Sequence, residues 1–350
     1  MISVITYNLW HGLSPQGILR FKEIEPRSRR KEREKLQVQL LQQHRASIVF
    51  LQEVNPIERR AKELSKKVNM QEVHHRDNSG IRWGQWGAPL NLDSGLCTLF
   101  DENHYFEWSE AVPLSGKTSS LIGDKGSFQL KESRFALLLS TIHSEVGRTL
   151  WVNTHLHHGI EMNETIVEQL NDLQKKEVIS EGVKEEIIER LKRADERRHH
   201  EVTILLNKLE SLKNRYNLIV IGGDFNARPE SSLFERFYKN GFQSMAKSLG
   251  DFSPSWDPPK NMANFTLARD HISTFLLEDL SFDFKVRQCL QELAESWESQ
   301  PRRIDDFLVW SATGRVEISN PQLIGVPMDK EMAPSDHFGV QSEIRWRKRE

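Results

Sequence analysis

Several apolar runs in this 350-residue chain each end in a residue that suits phosphate and hard-cation chemistry. They are Asn8 in TYNLW, Glu53 in FLQEV, His155 in VNTHLHH, Asp224 and Asn226 in GGDFN, Asp305 in RRIDDF, and Asp336 with His337 in APSDHFG. A divalent cation such as Mg²⁺ takes oxygen ligands, keeps several waters, and is usually held by one or two carboxylates plus substrate phosphate. Glu53 suits the principal ligand, and Asp224, Asp336 and the amides of Asn8 and Asn226 offer further oxygens. No cysteine cluster or paired-histidine pattern points to zinc. Cleaving a phosphate ester also needs a base for water, and histidine titrates in the right range. His337 is the candidate base, with Asp305 able to fix its tautomer. His155 would share the charge on the phosphate oxygens. Gly222 and Gly223 are expected to let the backbone approach that phosphate closely.

Residues so far apart in sequence can meet only if the strand ends that carry them converge on one rim, as they do in layered α/β folds. The runs VITYNLW, SIVFLQEV, LCTLF, GSFQLK, FALLLSTIH, TLWVNTHLH, NLIVIGGDF, RIDDFLVW and HFGVQSEIRW read as strands. Their density suggests two facing sheets with antiparallel pairing. Residues 27–45 and 58–70 read as helices, 74–95 as a Gly- and Asn-rich loop, and 161–214 as charged helix, with 161–192 a probable insertion. No linker is evident, so one domain over 1–350 is expected.

Composition narrows the class. Hydrophobic residues are 37% and charged residues 28%, as in an ordinary globular chain, and no segment is apolar for long enough to span a bilayer. The start lacks the features of a signal peptide, and two cysteines, Cys97 and Cys289, cannot build a disulfide framework. A cytoplasmic location is therefore expected. Lys and Arg total 48 against 50 for Asp and Glu, which gives no global attraction to a polyanion. The basic run RSRRKEREK carries interleaved acids and is expected to be a solvated helix face.

Taken together, TYNLW, FLQEV, VNTHLHH, GGDFNARP, RRIDDFLVW and PSDHFGV resemble the motifs of the endonuclease/exonuclease/phosphatase superfamily, in that family's order and over essentially the whole chain. The resemblance implies a four-layered α/β sandwich, two mixed sheets flanked by helices, and Mg²⁺-dependent cleavage of phosphate esters by activated water, with Mn²⁺ a plausible substitute. It implies Glu53 on the metal with Asn8 and Asp336 beside it, His155 on the phosphate, and Asp224 and Asn226 orienting nucleophile and phosphate. His337 paired with Asp305 would be the base. Asp306 follows Asp305 where the family has an aromatic residue, which leaves open which acid faces the site.

DSGLCTLF, GDKGSF and THLHH are similar to segments of the neutral sphingomyelinase branch, which would make Lys125 a substrate contact. Arg198 and Trp256 are two further substrate candidates. The substrate implied is a phosphodiester: a phospholipid, a small diester or, alternatively, DNA or RNA. A different class of reading is a catalytically silent, metal-dependent binding module. It is disfavoured because every catalytic position carries a competent residue type.

Overall fold

The apolar runs become the inner strands of two six-stranded sheets. In chain order the strands are β1 (Ile2–Asn8), β2 (Ile48–Val54), β3 (Gln71–Asn78), β4 (Ser94–Phe100), β5 (His104–Ser115), β6 (Arg134–His143), β7 (Gly147–His155), β8 (Leu218–Asp224), β9 (Gln243–Ser244), β10 (Asp305–Ser311), β11 (Val316–Ile324) and β12 (Gly339–Trp346). The structure is a computed structural model that describes residues 1–14, 17, 19–83, 86–116, 120–122, 126–129, 132–261, 277, 284–313, 315–327 and 332–347. The first sheet runs β11–β12–β1–β2–β4–β3 and the second β9–β10–β8–β7–β6–β5. In each sheet one central pair is parallel, β1 with β2 and β7 with β8, and the remaining neighbours are antiparallel.

Three apolar layers account for the stacking. Between the sheets lie Ile2, Val4, Ile48 and Phe50 from one side and Leu139, Trp151, Val220 and Phe307 from the other. Helices α1 (Arg27–His44) and α2 (Ile57–Val68) cover the outer face of the first sheet, burying Leu41, Ile57, Ala61 and Leu64 against Ile5, Val49 and Leu99. On the outer face of the second sheet lie the later part of a 30-residue helix (Glu181–Glu210) and a short helix (Ser232–Lys239). They bury Val202, Leu205, Leu209, Phe234 and Phe237 against Leu138, Val152 and Ile219. Each such aliphatic or aromatic side chain contributes about 1.5–3 kcal/mol when fully withdrawn from water. The result is the four-layered α/β sandwich.

The first half of the long helix does something else. With the helices Glu164–Lys175 and Phe284–Glu298 it encloses a separate apolar cluster containing Leu170, Ile187, Leu191, Leu290 and Trp297. The segment read as loop over 74–95 contains β3 and two short strands, Ile81–Trp83 and Trp86–Ala88, of a small four-stranded sheet.

Candidate active site

The two parallel pairs determine where the chemistry gathers. β1 and β2 finish together, with Asn8 opposite Gln52. β7 and β8 finish together, with His155 opposite Asp224. β10 runs against β8, so its first residue, Asp305, is the one opposite Asp224. β12 likewise runs against β1, which brings the residues just before Gly339, Asp336 and His337, to the same end. Asp305 and His337 therefore open strands at this rim and do not close them.

Glu53 reaches the rim through a local distortion. The register of β2 on β4 shifts between Leu51 and Val54, a bulge that re-aims the side chains within it. Glu53 has φ 54°, in the left-handed region that non-glycine residues adopt at a cost of about 1–2 kcal/mol. Its Oε2 accepts the His11 backbone N–H at 3.1 Å, and its Oε1 accepts from Asn8 Nδ2 at 3.3 Å. Burial pushes the Glu53 carboxyl up, but the His11 ring, 3.6 Å away, and the His11 amide help to outweigh it and hold the group below the usual carboxylate range.

Asp224 is the hub. Its Oδ2 accepts from Asn8 Nδ2 at 3.1 Å and lies 3.5 Å from His155 Nε2 and 3.8 Å from His337 Nε2. Its Oδ1 accepts the Asn226 N–H at 2.9 Å, closing a tight turn in which Asn226 has φ 48° and donates from Nδ2 to Leu156 O. Burial and the neighbouring Asp305 charge push Asp224 up to about 7. His337 Nδ1 sits 2.9 Å from Asp305 Oδ2. Burial opposes charge on the ring, yet Asp305 and Asp224 outweigh it and raise His337 to about 10. His155 goes the other way: burial and then the Arg134 charge hold it well below 6.5. Asp336 is pushed up to about 6 by burial, with Glu53 adding to the effect.

Asp305, not Asp306, faces the site. One residue on, Asp306 projects to the opposite face of β10, where it accepts from Ser244 Oγ at 2.5 Å and Ala246 N at 3.2 Å. Trp256 packs its ring edge-on against His337 with centroids 5.0 Å apart and donates from Nε1 to Glu298 O. Arg198 does not offer a substrate contact. Its side chain is fully buried and donates to the carbonyls of His157 and Gly159, holding the loop that follows β7. Lys125 lies outside the described residues.

The two glycines also have a different reason from the one expected. A Cβ on Gly222 would stand 2.3 Å from Phe50 Cδ2 across the sandwich, and one on Gly223 would stand 2.0 Å from Thr154 O on the neighbouring strand. They let the sheets and strands close up beneath the rim; phosphate approach is not what requires them.

Several supporting residues were not visible in the sequence. Ser335 donates to Asn8 O at 2.6 Å and accepts the His337 N–H at 3.3 Å. Arg33 Nη1 and Gln37 Nε2 both donate to Leu9 O, and Gln37 Nε2 also lies 2.8 Å from Pro334 O. Helix α1 thereby ties the chain after Asn8 to the chain before Asp336. Arg33 sits in the run expected to be a solvated face, but it is buried and paired with Glu25.

The donor set fits a cation. Glu53 and Asp336 are carboxylates close enough for the Glu53 charge to raise Asp336, and carboxylate oxygens are what a hard cation takes; Asp224, Asp305 and His337 also present ligand atoms within 4.8 Å of one another. Asp305 Oδ1 is buried without a hydrogen-bond partner.

The sequence profile described as the Endonuclease/Exonuclease/phosphatase family matches residues 5–337. The chain belongs to that family. Membership makes it a phosphoesterase hydrolase. Solved structures of the same fold include truncated Caenorhabditis elegans TDP2, at 15% identity and TM-score 0.54, over 97% of this chain and 96% of that one. A humanized D. rerio TDP2 matches at 14% identity and TM-score 0.57, over 99% of both chains. A Bacteroides thetaiotaomicron mannosyl-6-phosphatase matches at 13% identity and TM-score 0.53, over 99% of this chain and 100% of that one. No curated protein matches the sequence significantly. Among the described residues of this family member, no helix is long and apolar enough to cross a membrane.

Proposed function

We propose that the protein is a Mg²⁺-dependent phosphodiesterase that activates water at Asp224, His337 and Asp305. The observation that carries this reading is the meeting of Glu53, Asp224, His155 and the His337–Asp305 pair within one buried rim. Glu53 and Asp336 would hold the cation, which when bound neutralises phosphate charge and makes a coordinated water more acidic. Asn8 holds Glu53 and Asp224 together through Nδ2, since its Oδ1 already accepts the Trp10 N–H at 3.0 Å. The same Oδ1 keeps a second lone pair with which it could reach the cation.

The proton chemistry is divided differently from the sequence expectation, in which His337 is the base. Flanked by two carboxylates, His337 already carries its proton at pH 7. Asp224, poised near neutrality, is the group that takes the proton from water. His337 and the neutral His155 then present N–H groups to the phosphate oxygens, with Asn226 fixing the Asp224 carboxylate.

For the substrate, the sphingomyelinase-like segments favour a phospholipid or small diester. A second reading, single-stranded nucleic acid, has two observations behind it. A cleft of about 260 Å³ lined by Arg27, Arg30, Lys31, Glu34 and Arg59 lies at the starts of α1 and α2. One neighbour, D. rerio TDP2, was solved with a single strand DNA product. A screen of sphingomyelin, a single-stranded oligonucleotide, plasmid DNA and an inositol phosphate, with His337→Ala as blank, separates them. Metal-dependent binding without turnover of any diester would instead establish a silent binding module.

A further inference from the structure

A second cluster of ligating side chains lies beside the groups used above and shares none of them. The chain leaving β7 continues through His157 and His158, and Glu132 precedes β6, the antiparallel partner of β7. Glu132 Oε2 lies 3.4 Å from His157 Nδ1 and 3.6 Å from His158 Nδ1, and the two rings are 4.9 Å apart. The three ligand atoms all fall within 4.8 Å of one another. His157 Nδ1 is buried and makes no hydrogen bond.

The surroundings are built. Glu132 Oε1 accepts from Arg134 Nη2 at 2.5 Å, which leaves Oε2 turned towards the imidazoles; the same Nη2 is 3.3 Å from His158 Nδ1. The His157 backbone N–H donates to Glu201 Oε2 at 2.8 Å, fixing the loop. Burial, the largest influence, holds His157 down at about 4, so its ring is neutral at pH 7. Desolvation also works against the Glu132 charge, but Arg134 and the histidines outweigh it and hold the carboxyl well below its usual range. Nδ1 faces the carboxylate oxygen at 3.4 Å, too far for more than a long, weak hydrogen bond. A cation between them would draw His157 Nδ1 and Glu132 Oε2 into one coordination shell, with His158 Nδ1 turning from Arg134 Nη2 to complete it.

Two imidazole nitrogens and one carboxylate oxygen, with a fourth position open to water, form the donor set of a borderline cation. Mg²⁺ takes oxygen ligands instead. We infer that Glu132, His157 and His158 form a second cation site, of the Zn²⁺ class, built from ligands other than those of the acidic rim at Glu53. Arg134 is then the group that orients the ligating carboxylate from behind. The sequence pattern gave no zinc signal because one ligand comes from the neighbouring strand's approach. This site does not depend on the reaction proposed above.

Equilibrium dialysis of the whole protein against Zn²⁺, in excess Mg²⁺ and with metal analysis, tests it. One Zn²⁺ per chain is expected for the native protein and for Glu53→Gln. His157→Gln and Glu132→Gln should each weaken binding by at least about 100-fold, the upper end of what losing an outer-shell partner costs. His158→Gln, at a ring that is 42% exposed and so less costly to replace, should also weaken it, and circular dichroism of each variant guards against misfolding. No uptake by the native protein, uptake unchanged in His157→Gln and His158→Gln, or uptake lost in Glu53→Gln would each overturn the inference.

Discussion

Replacing Asp305 with Asn preserves the side chain's shape at β10 while removing the charge 2.9 Å from His337 Nδ1. In the native protein, burial works against the imidazolium, yet the Asp305 and Asp224 charges raise it to about 10. A hydrogen bond to a charged group is worth about 1.5–3 kcal/mol. One pKa unit corresponds to about 1.4 kcal/mol, so the substitution should lower the His337 pKa by about 1–2 units. The His337 imidazole resonance, titrated by NMR in EDTA, reads this directly. The sign for stability follows from linkage: a folded pKa raised above the unfolded value contributes stability that is fully present below about 6.5 and lost as pH rises towards 10. The native melting temperature should therefore fall between pH 7 and 10 more steeply than that of Asp305→Asn. Turnover should drop by roughly 10²–10⁴-fold, the scale of a proton-transfer or orienting group. An unchanged His337 midpoint, or turnover equal to native, would refute the assignment of Asp305 as the group that holds His337 charged.

Two further predictions concern the scaffold. Gly222→Ala puts a Cβ 2.3 Å from Phe50 and 3.0 Å from Phe307, well inside the ordinary carbon contact of about 3.5–4.0 Å; urea unfolding should show a loss of about 1–3 kcal/mol, and none at all would mean the sheets are not packed as described. Gln37→Ala removes a buried donor from Leu9 O and Pro334 O and should cost about 1–3 kcal/mol in thermal unfolding, together with reduced turnover as the two loops it ties loosen.

How much the sequence revealed depended on burial. All eight inner strands of the two large sheets were legible as apolar runs, because both of their faces or their whole length are covered. The four edge strands, β3, β5, β9 and β11, were not. An edge strand is half solvated and carries polar residues such as His74, His75 and Arg76 in β3, while β11 holds Pro321 at an irregularity between Ser319 and Gln322. The rim residues stood out because each interrupts an apolar run with an acid, amide or imidazole. What supports them did not, since Ser335, Gln37 and Arg33 look like surface residues until the fold buries them. Strand alternation separates Asp305 from Asp306, but only the observed register says which of the two faces the rim. The glycines were legible as a close approach, though of sheet to sheet and strand to strand.

Hydrolysis of a simple chromogenic diester, followed before and after EDTA and again on adding Mg²⁺, bears most directly on the central claim. The account predicts that EDTA abolishes turnover, that Mg²⁺ restores it in the native protein, and that the same Mg²⁺ fails to restore it in Glu53→Gln. Turnover that persists in EDTA, or that Glu53→Gln supports as well as the native chain does, would contradict it.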